Sequence, residues 1–487
     1  MLLNDTTFQN LHTSLGGASL NTTRLPSMWE IMIVLALFLA VVISFATVFD
    51  LPIQLALFIS WFIVMALGVR LGYTYNHLQG AITRGISNGL EAILILLAVG
   101  TLIGTWIAGG VVPSLIYFGL EFINPTFFLL ATLIICSITS ISTGTSWGTV
   151  GTAGIAMMGI GQGLGMPLPL VAGAVISGAY FGDKLSPLSD STILSASMAR
   201  VNVIDHVKAM LVLDIPAYLI TAVLFTVTGF MYGGKDFDAG RVEELKSSLL
   251  DTFHISGWML IPALAVIVLL AFKKPSLPAI AIGSLLGIIW AVVFQHMDVA
   301  SAFNTAYEGF KINTDNTFLS ELLNRGGILS MVGSIIVIIF GLGFGGLLDE
   351  LGVLEVLLSK FEKILVNSGN VTASTIFVGL LGNIFGCAMY VSLILTPKIM
   401  EKSYDKLRIQ RLVLARNSEV GGTLTSGMVP WTDNGVFLAT TLGISTFAYL
   451  PFMWLSFVSI ILAIIYGYTG KFIWYVTEEK QRSSIAK

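Results

Sequence analysis

Long stretches of this chain carry almost no polar face. Residues 31–49, 260–272 and 453–466 are apolar all round, whereas a helix on the surface of a water-soluble domain keeps a charged side. A helix needs about 20 such residues to cross a bilayer. Runs near that length are predicted at 28–49, 51–69, 91–112, 211–231, 256–272, 275–294, 328–348 and 449–468. Between them prolines, glycines and hydroxyls interrupt the apolar pattern, which predicts broken helices.

Cationic residues give the spans a direction. The first hairpin turns at 49–51 without a positive charge and has Arg70 and Arg84 beyond its far end, so the positive-inside rule leaves the amino terminus in the cytoplasm. The hairpin that turns at Lys273 and Lys274 has the reverse sense, with its turn in the cytoplasm. No Lys or Arg occurs between Arg84 and Lys184, which fits an excursion opening on the extracytoplasmic side. In the second half, Lys360 and Lys363 precede an apolar stretch at 372–396, and Lys398, Lys402, Lys406, Arg408, Arg411 and Arg416 follow it. One crossing cannot leave both ends inside. The stretch is therefore read as a re-entrant hairpin from the cytoplasm with its tip at Gly386, Cys387 and Ala388, since irregular backbone is tolerated at depth where it lines a cavity. Its first-half partner has its tip at Gly144, Thr145 and Ser146 and enters from outside.

Gly104 and Gly346, Gly110 and Gly352, and Gly144 and Gly386 all stand 242 residues apart. With the opposite charge bias of the halves, this predicts inverted repeats around a midplane site. The fold class expected is an all-α polytopic membrane protein with two inverted-topology repeats, re-entrant hairpins and broken helices. Its parts are a cytoplasmic tail at 1–27, transmembrane repeats at 28–231 and 254–470, an extracytoplasmic connector at 232–253 and a cytoplasmic tail at 471–487.

Composition narrows the function. Of 487 residues 55% are hydrophobic and 11% charged, with mean hydropathy +0.87; soluble domains carry about 25% charge. A net charge of -3 gives no sign of nucleic-acid binding. The first 27 residues lack the basic and short apolar regions of a secretory signal. No G-x-x-x-x-G-K-[ST] motif occurs, which argues against a pump driven directly by ATP. Cys136 and Cys387 share no metal-ligand spacing and read as small core residues. The five histidines form no cluster in sequence, and no nucleophile with a paired base points to an enzyme.

Two aspartates stand where apolar runs are interrupted. Asp190 follows Pro187 and Ser189 and precedes Ser191 and Thr192; Asp433 follows Pro430, Trp431 and Thr432 and precedes Asn434, 243 residues further on. A carboxylate at the bilayer centre costs about 2.5–3.5 kcal/mol on insertion scales, so a matched pair calls for a function. A proline beside each suits a helix broken to turn its carbonyls toward an ion. The Ser, Thr and Gly of residues 137–154 suit a hard cation, and equally a close helix interface; both can hold. Asp183 and Lys184 are adjacent and point to different sides of a helix, so Lys184 is expected to balance Asp190 or Asp433 when no cation is bound. A carboxylate so placed holds a proton or sodium, one excluding the other. Glu419 reads as a proton carrier or, equally, as a salt bridge to the nearby basic cluster. Trp147 and Trp431 flank the polar clusters, as packing or as lining. Glu91, Asp214, Asp349 and Glu350 fall near segment ends, where capping and snorkelling account for them.

The run Tyr180 to Thr192, with Gly144 to Gly151, Val420 to Thr423 and Pro430 to Gly435, resembles the NhaC family of sodium/proton antiporters over about residues 28 to 470. Ser191 and Thr192 stand where that family more often has two threonines. The resemblance implies sodium/proton exchange, coupled in some members to organic anions as in malate-in, lactate-out exchange. It also implies paired re-entrant hairpins, a homodimer and an elevator motion. Together these readings predict a secondary active antiporter working by alternating access in the cell's inner (plasma) membrane, multi-pass, with both termini cytoplasmic. No cofactor is expected beyond Na+ and H+ as coupling ions. Sodium is expected at Thr145, Ser146, Ser189, Asp190 and Asp433, with Gly144, Asp183, Lys184, Ser191 and Thr192 beside it and a second half-site at Thr432, Asp433 and Asn434. The alternative is sodium-coupled transport or exchange of a small organic anion or amino acid, its carboxylate held by Lys184, hydroxyls and helix amino termini. A passive channel is disfavoured, because broken, repeated halves suit rocking about a closed site.

Overall fold

A computed structural model describes residues 23–476 apart from 50, 123, 188, 233–238, 273, 313–319, 321–322 and 360–365. Residues 1–22 and 477–487 of the expected tails therefore lie outside the described residues, as do Lys273, Lys360 and Lys363. The first half runs through α1 (Met28–Thr47), α2 (Ile53–Arg70), α3 (Tyr75–Asn88), α4 (Leu90–Ala108), α5 (Val111–Phe122), α6 (Phe128–Thr143), α7 (Ser146–Thr149), α8 (Ile155–Gly163), α9 (Leu168–Leu185), α10 (Asp190–Met198) and α11 (Val203–Tyr232). The second runs through α12 (Ala239–Thr252), α13 (Ile261–Ala271), α14 (Ser276–Val293), α15 (Val299–Glu308), α16 (Ile328–Glu350), α17 (Val353–Ser359), α18 (Ser368–Gly386), α19 (Met389–Lys406), α20 (Arg411–Ser426), α21 (Asp433–Leu442), α22 (Thr446–Tyr449) and α23 (Trp454–Thr469).

Eight described helices are long and apolar enough to cross a membrane, or ten if each of two bent pairs counts as one span. The fold is the all-α polytopic class read from the sequence. Two expected spans are not straight crossings. The one at 256–272 is joined to α12 through an 89° bend, and the one at 449–468 begins after an 85° bend that follows α21. The connector at 232–253 carries α12.

The repeats are visible in how helices pair. In each half the first arm of a hairpin packs on the helix that follows the second arm, α6 on α9 and α18 on α20. The long helices exchange partners: α4 lies against α14 and α15 of the second half, and α16 against α2 and α3 of the first. Close approach requires glycine here. A Cβ on Gly345 would lie 2.2 Å from the carbonyl oxygen of Gly386, and one on Gly182 would lie 2.5 Å from the backbone nitrogen of Ile141.

Both hairpins turn as the sequence suggests, with one correction of register. α6 ends at Gly144 (φ 70°) and Thr145 is extended before α7 begins; α18 ends at Cys387 (φ 56°) and Ala388 is extended before α19 begins. Gly144 thus corresponds to Cys387, at the spacing of Asp190 and Asp433, and Gly386 is the last residue of its helix. The 242-residue spacing holds ahead of the hairpins, where Gly110 and Gly352 both have positive φ.

Candidate functional site

The two hairpin tips face each other across a cavity of about 350 Å³. The first contributes Thr143, Gly144, Thr145, Ser146 and Trp147, the second Met389 and Tyr390. Four carboxylates, Glu91, Asp183, Asp190 and Asp433, line it together with exposed Lys274 and the start of α14. Sequence distance hides this grouping: it needs α9, α10 and α21 to end or begin at one depth.

Each aspartate is held differently. Asp183, buried on α9, accepts a hydrogen bond from the Ser146 hydroxyl at 3.0 Å, and its Oδ1 has no hydrogen-bond partner among the described residues. Asp190 opens α10; its Oδ1 accepts from the Ser191 backbone at 2.9 Å, and the Tyr390 hydroxyl donates to its Oδ2. Asp433 opens α21, where its Oδ1 accepts from the backbone N–H of Asn434 at 2.7 Å and of Met389 at 3.2 Å. Its own N–H donates to Cys387 O at 3.1 Å, so Asp433 clamps the second hairpin tip as well as facing the cavity. The register that pairs Asp190 with Asp433 also pairs Trp147 with Tyr390 and Asp183 with Ser426.

Other residues singled out in the sequence stand behind the cavity wall. Thr432 caps α21, accepting from the Gly435 N–H at 2.9 Å and donating to Ser426 O at 2.6 Å. Asn434 is a hub, accepting from Trp147 Nε1 at 3.0 Å and donating to Ser426 Oγ at 2.7 Å and the Tyr180 hydroxyl at 3.1 Å. The Ser189 and Ser191 hydroxyls lie 3.0 Å apart. Trp147 stacks on Phe437 with ring centroids 4.2 Å apart. Trp431 does not line the cavity; its ring N–H donates to Ile384 O and it packs edge-on against Phe38. Of the Ser/Thr-rich run, Ser140 bonds across to Ala179 O as interface, and residues 143–147 form lining, so both readings apply in different turns.

Lys184 does not balance Asp190 or Asp433. Its ammonium donates to Asp214 Oδ1 at 2.8 Å, with both side chains fully buried. Asp214 is no segment end, because α11 begins at Val203 and runs 30 residues. Glu419 does not pair with the basic cluster. It is fully buried, accepting from the Thr192 hydroxyl at 3.1 Å and lying 2.5 Å from His206 Nε2. His206, Asp214 and Tyr390 were missed in the sequence. Tyr390 was signalled by its spacing from Trp147; Asp214 was passed over because it read as a segment-end acid and Lys184 had been given to Asp190 or Asp433.

A helical bundle of this kind, with carboxylates gathered between two hairpin tips, defines a membrane transport protein and not an enzyme. The profile of the Na+/H+ antiporter family matches residues 10–212 and 178–471, and the chain belongs to that family. It is 72% identical over 452 residues, 93% of this chain and 97% of the relative, to the malate-2H(+)/Na(+)-lactate antiporter of Bacillus subtilis (strain 168). It is 36% identical to the Na(+)/H(+) antiporter NhaC of Alkalihalophilus pseudofirmus, over 81% of this chain and 86% of that one. It is 33% identical to the arginine/ornithine antiporter ArcD of Halobacterium salinarum, over 82% of each. The resemblance to the NhaC family read from the motifs thus holds across the chain.

Proposed function

We propose that this protein exchanges small carboxylates of the malate and lactate class, coupling their movement to sodium and protons. The observation that carries this reading is the 72% identity, over nearly the whole of both chains, to a malate-2H(+)/Na(+)-lactate antiporter. The cavity between the hairpin tips supports the cation half of this reading, since four carboxylates line it. Sodium is assigned to the hydroxyls of Thr145 and Ser146 with Asp183 and Asp190, oxygen donors of the kind hard cations take. Asp433, at the start of α21 against the second hairpin tip, completes the site. Protons and sodium compete for these carboxylates, which couples their movements in opposite directions. Arg70, Arg84 and Lys274 support cytoplasmic termini, and the repeats are assigned to 28–231 and 254–470.

A second reading, sodium/proton exchange with no organic partner, is favoured by the likeness to NhaC. Purified protein in proteoliposomes with an internal pH-sensitive dye separates the two. With sodium alone the proposed exchanger gives little proton movement, and malate outside with lactate inside starts it. Full proton movement with sodium alone would establish the plain antiporter instead. In either case the double variant Asp190→Asn with Asp433→Asn is expected to abolish exchange; wild-type rates in that variant would remove both aspartates from the mechanism.

A further inference from the structure

A second cavity lies on the far side of the Trp147–Phe437 stack, and its chemistry is the opposite of the first. It measures about 340 Å³ and is lined by Gln162 of α8, Arg325 and Ser330 ahead of and within α16, and Thr441 near the end of α21, with apolar neighbours such as Ile103. None of its described lining residues is Asp or Glu, whereas the first cavity has four carboxylates. Trp147 belongs to the lining of the first, and along α21 its stacking partner Phe437 falls between Asp433 of the first lining and Thr440 to Gly443 of the second. Along α21 the step from Asp433 to Thr441 is eight residues, about 12 Å at helical rise.

We infer that this second cavity is a carboxylate-binding site centred on Arg325, holding the organic anion apart from the cation; this rests on the exchanger reading above. Arg325 is half-buried and donates from Nη2 to the Gln162 side-chain oxygen at 3.3 Å. Among the described residues no carboxylate pairs with it. Thr441 is 3% exposed and its hydroxyl has no partner among the described residues. A guanidinium free of a carboxylate presents a planar fork that matches one, and such charge-assisted pairs are the strong ones. The Thr441 hydroxyl supplies a second polar contact, and the Met158 and Leu168 side chains suit the short carbon skeleton of a two- to four-carbon acid. Separation has a reason. An anion bound among four carboxylates would meet like charge, while one bound at Arg325 meets none among the described lining residues.

Arg325 also lies beside Gly443, just past the carboxyl end of α21, where any cation favours the helix dipole. Lysine would preserve that role and lose the fork, so two variants separate the two roles. Calorimetric titration of purified full-length protein with L-malate, L-lactate and sodium is the test. Arg325→Gln is expected to weaken binding of the organic anion about ten-fold or more, the worth of one charged hydrogen-bonding pair. Arg325→Lys is expected to weaken it too, and Thr441→Val to a lesser degree, while sodium binding measured without anion is unchanged in all three. Undiminished malate or lactate binding by Arg325→Gln overturns the site and leaves the exchanger reading standing. Full recovery in Arg325→Lys of everything lost in Arg325→Gln, sodium binding included, assigns Arg325 to the helix end and overturns the site. A wild-type protein that binds neither acid overturns both.

Discussion

The Lys184 ammonium and the Asp214 carboxylate are sealed from solvent and depend on each other. Breaking a buried ion pair by removing one partner costs about 3–5 kcal/mol, and replacing both with apolar groups is often neutral. Lys184→Met is therefore expected to lower the melting temperature of the detergent-purified protein sharply, and Lys184→Met with Asp214→Leu to recover most of the loss. Equal losses in the single and double variants would mean that Lys184 serves something other than its partner. At this scale the sequence exposes some residues and conceals others for a physical reason. Asp190 and Asp433 announce themselves because proline and hydroxyls break the helix beside them. Asp214 and His206 sit in a helix of 30 residues that continues through Pro216, so the proline two residues after Asp214 marks no break and does not show whether the acid is buried or at a span's end. Only the partner, 30 residues away, reveals which it is.

At the scale of elements, the two hairpin tips are the same turn built from different residues. Gly144 and Cys387 both occupy the left-handed region, which costs an L-residue with a side chain roughly 1–2 kcal/mol. Gly144→Ala should therefore lower stability by about 1 kcal/mol. Cys387→Gly should change it less, since relief of that strain offsets the loss of a buried side chain. Thermal melts of the two variants check this, and equal destabilisation by both would contradict the matching turns. The hairpins were legible from charge, because positives on both sides of 372–396 cannot flank a single crossing. The bends of 89° and 85° were not, because apolar runs continue on either side and hydropathy records length and not direction. The register slipped by one residue at the second tip because Gly386 is a more conspicuous turn signal than the cysteine that takes the left-handed position.

At the scale of the whole molecule, two cavities of opposite charge character flank one aromatic stack. The native cysteines are buried, so an introduced thiol reports access almost without background. Ser276→Cys, at the first cavity, and Ser330→Cys, at the second, are expected to react with a membrane-impermeant reagent from opposite faces in oriented vesicles, with sodium protecting the first. Labelling of both from one face would place the cavities in a single vestibule. The repeats, meanwhile, are alike in turns and unlike at the first cavity: Asp183 has Ser426 as its counterpart, and Trp147 has Tyr390. In the proposed exchanger, two identical halves would make the inward-open and outward-open forms equivalent by a two-fold rotation, equal in energy and equally fond of their load. Divergence removes that degeneracy, so one resting posture is expected, and half-saturating concentrations should differ between the two sides even when the gradients that set the net flux are the same.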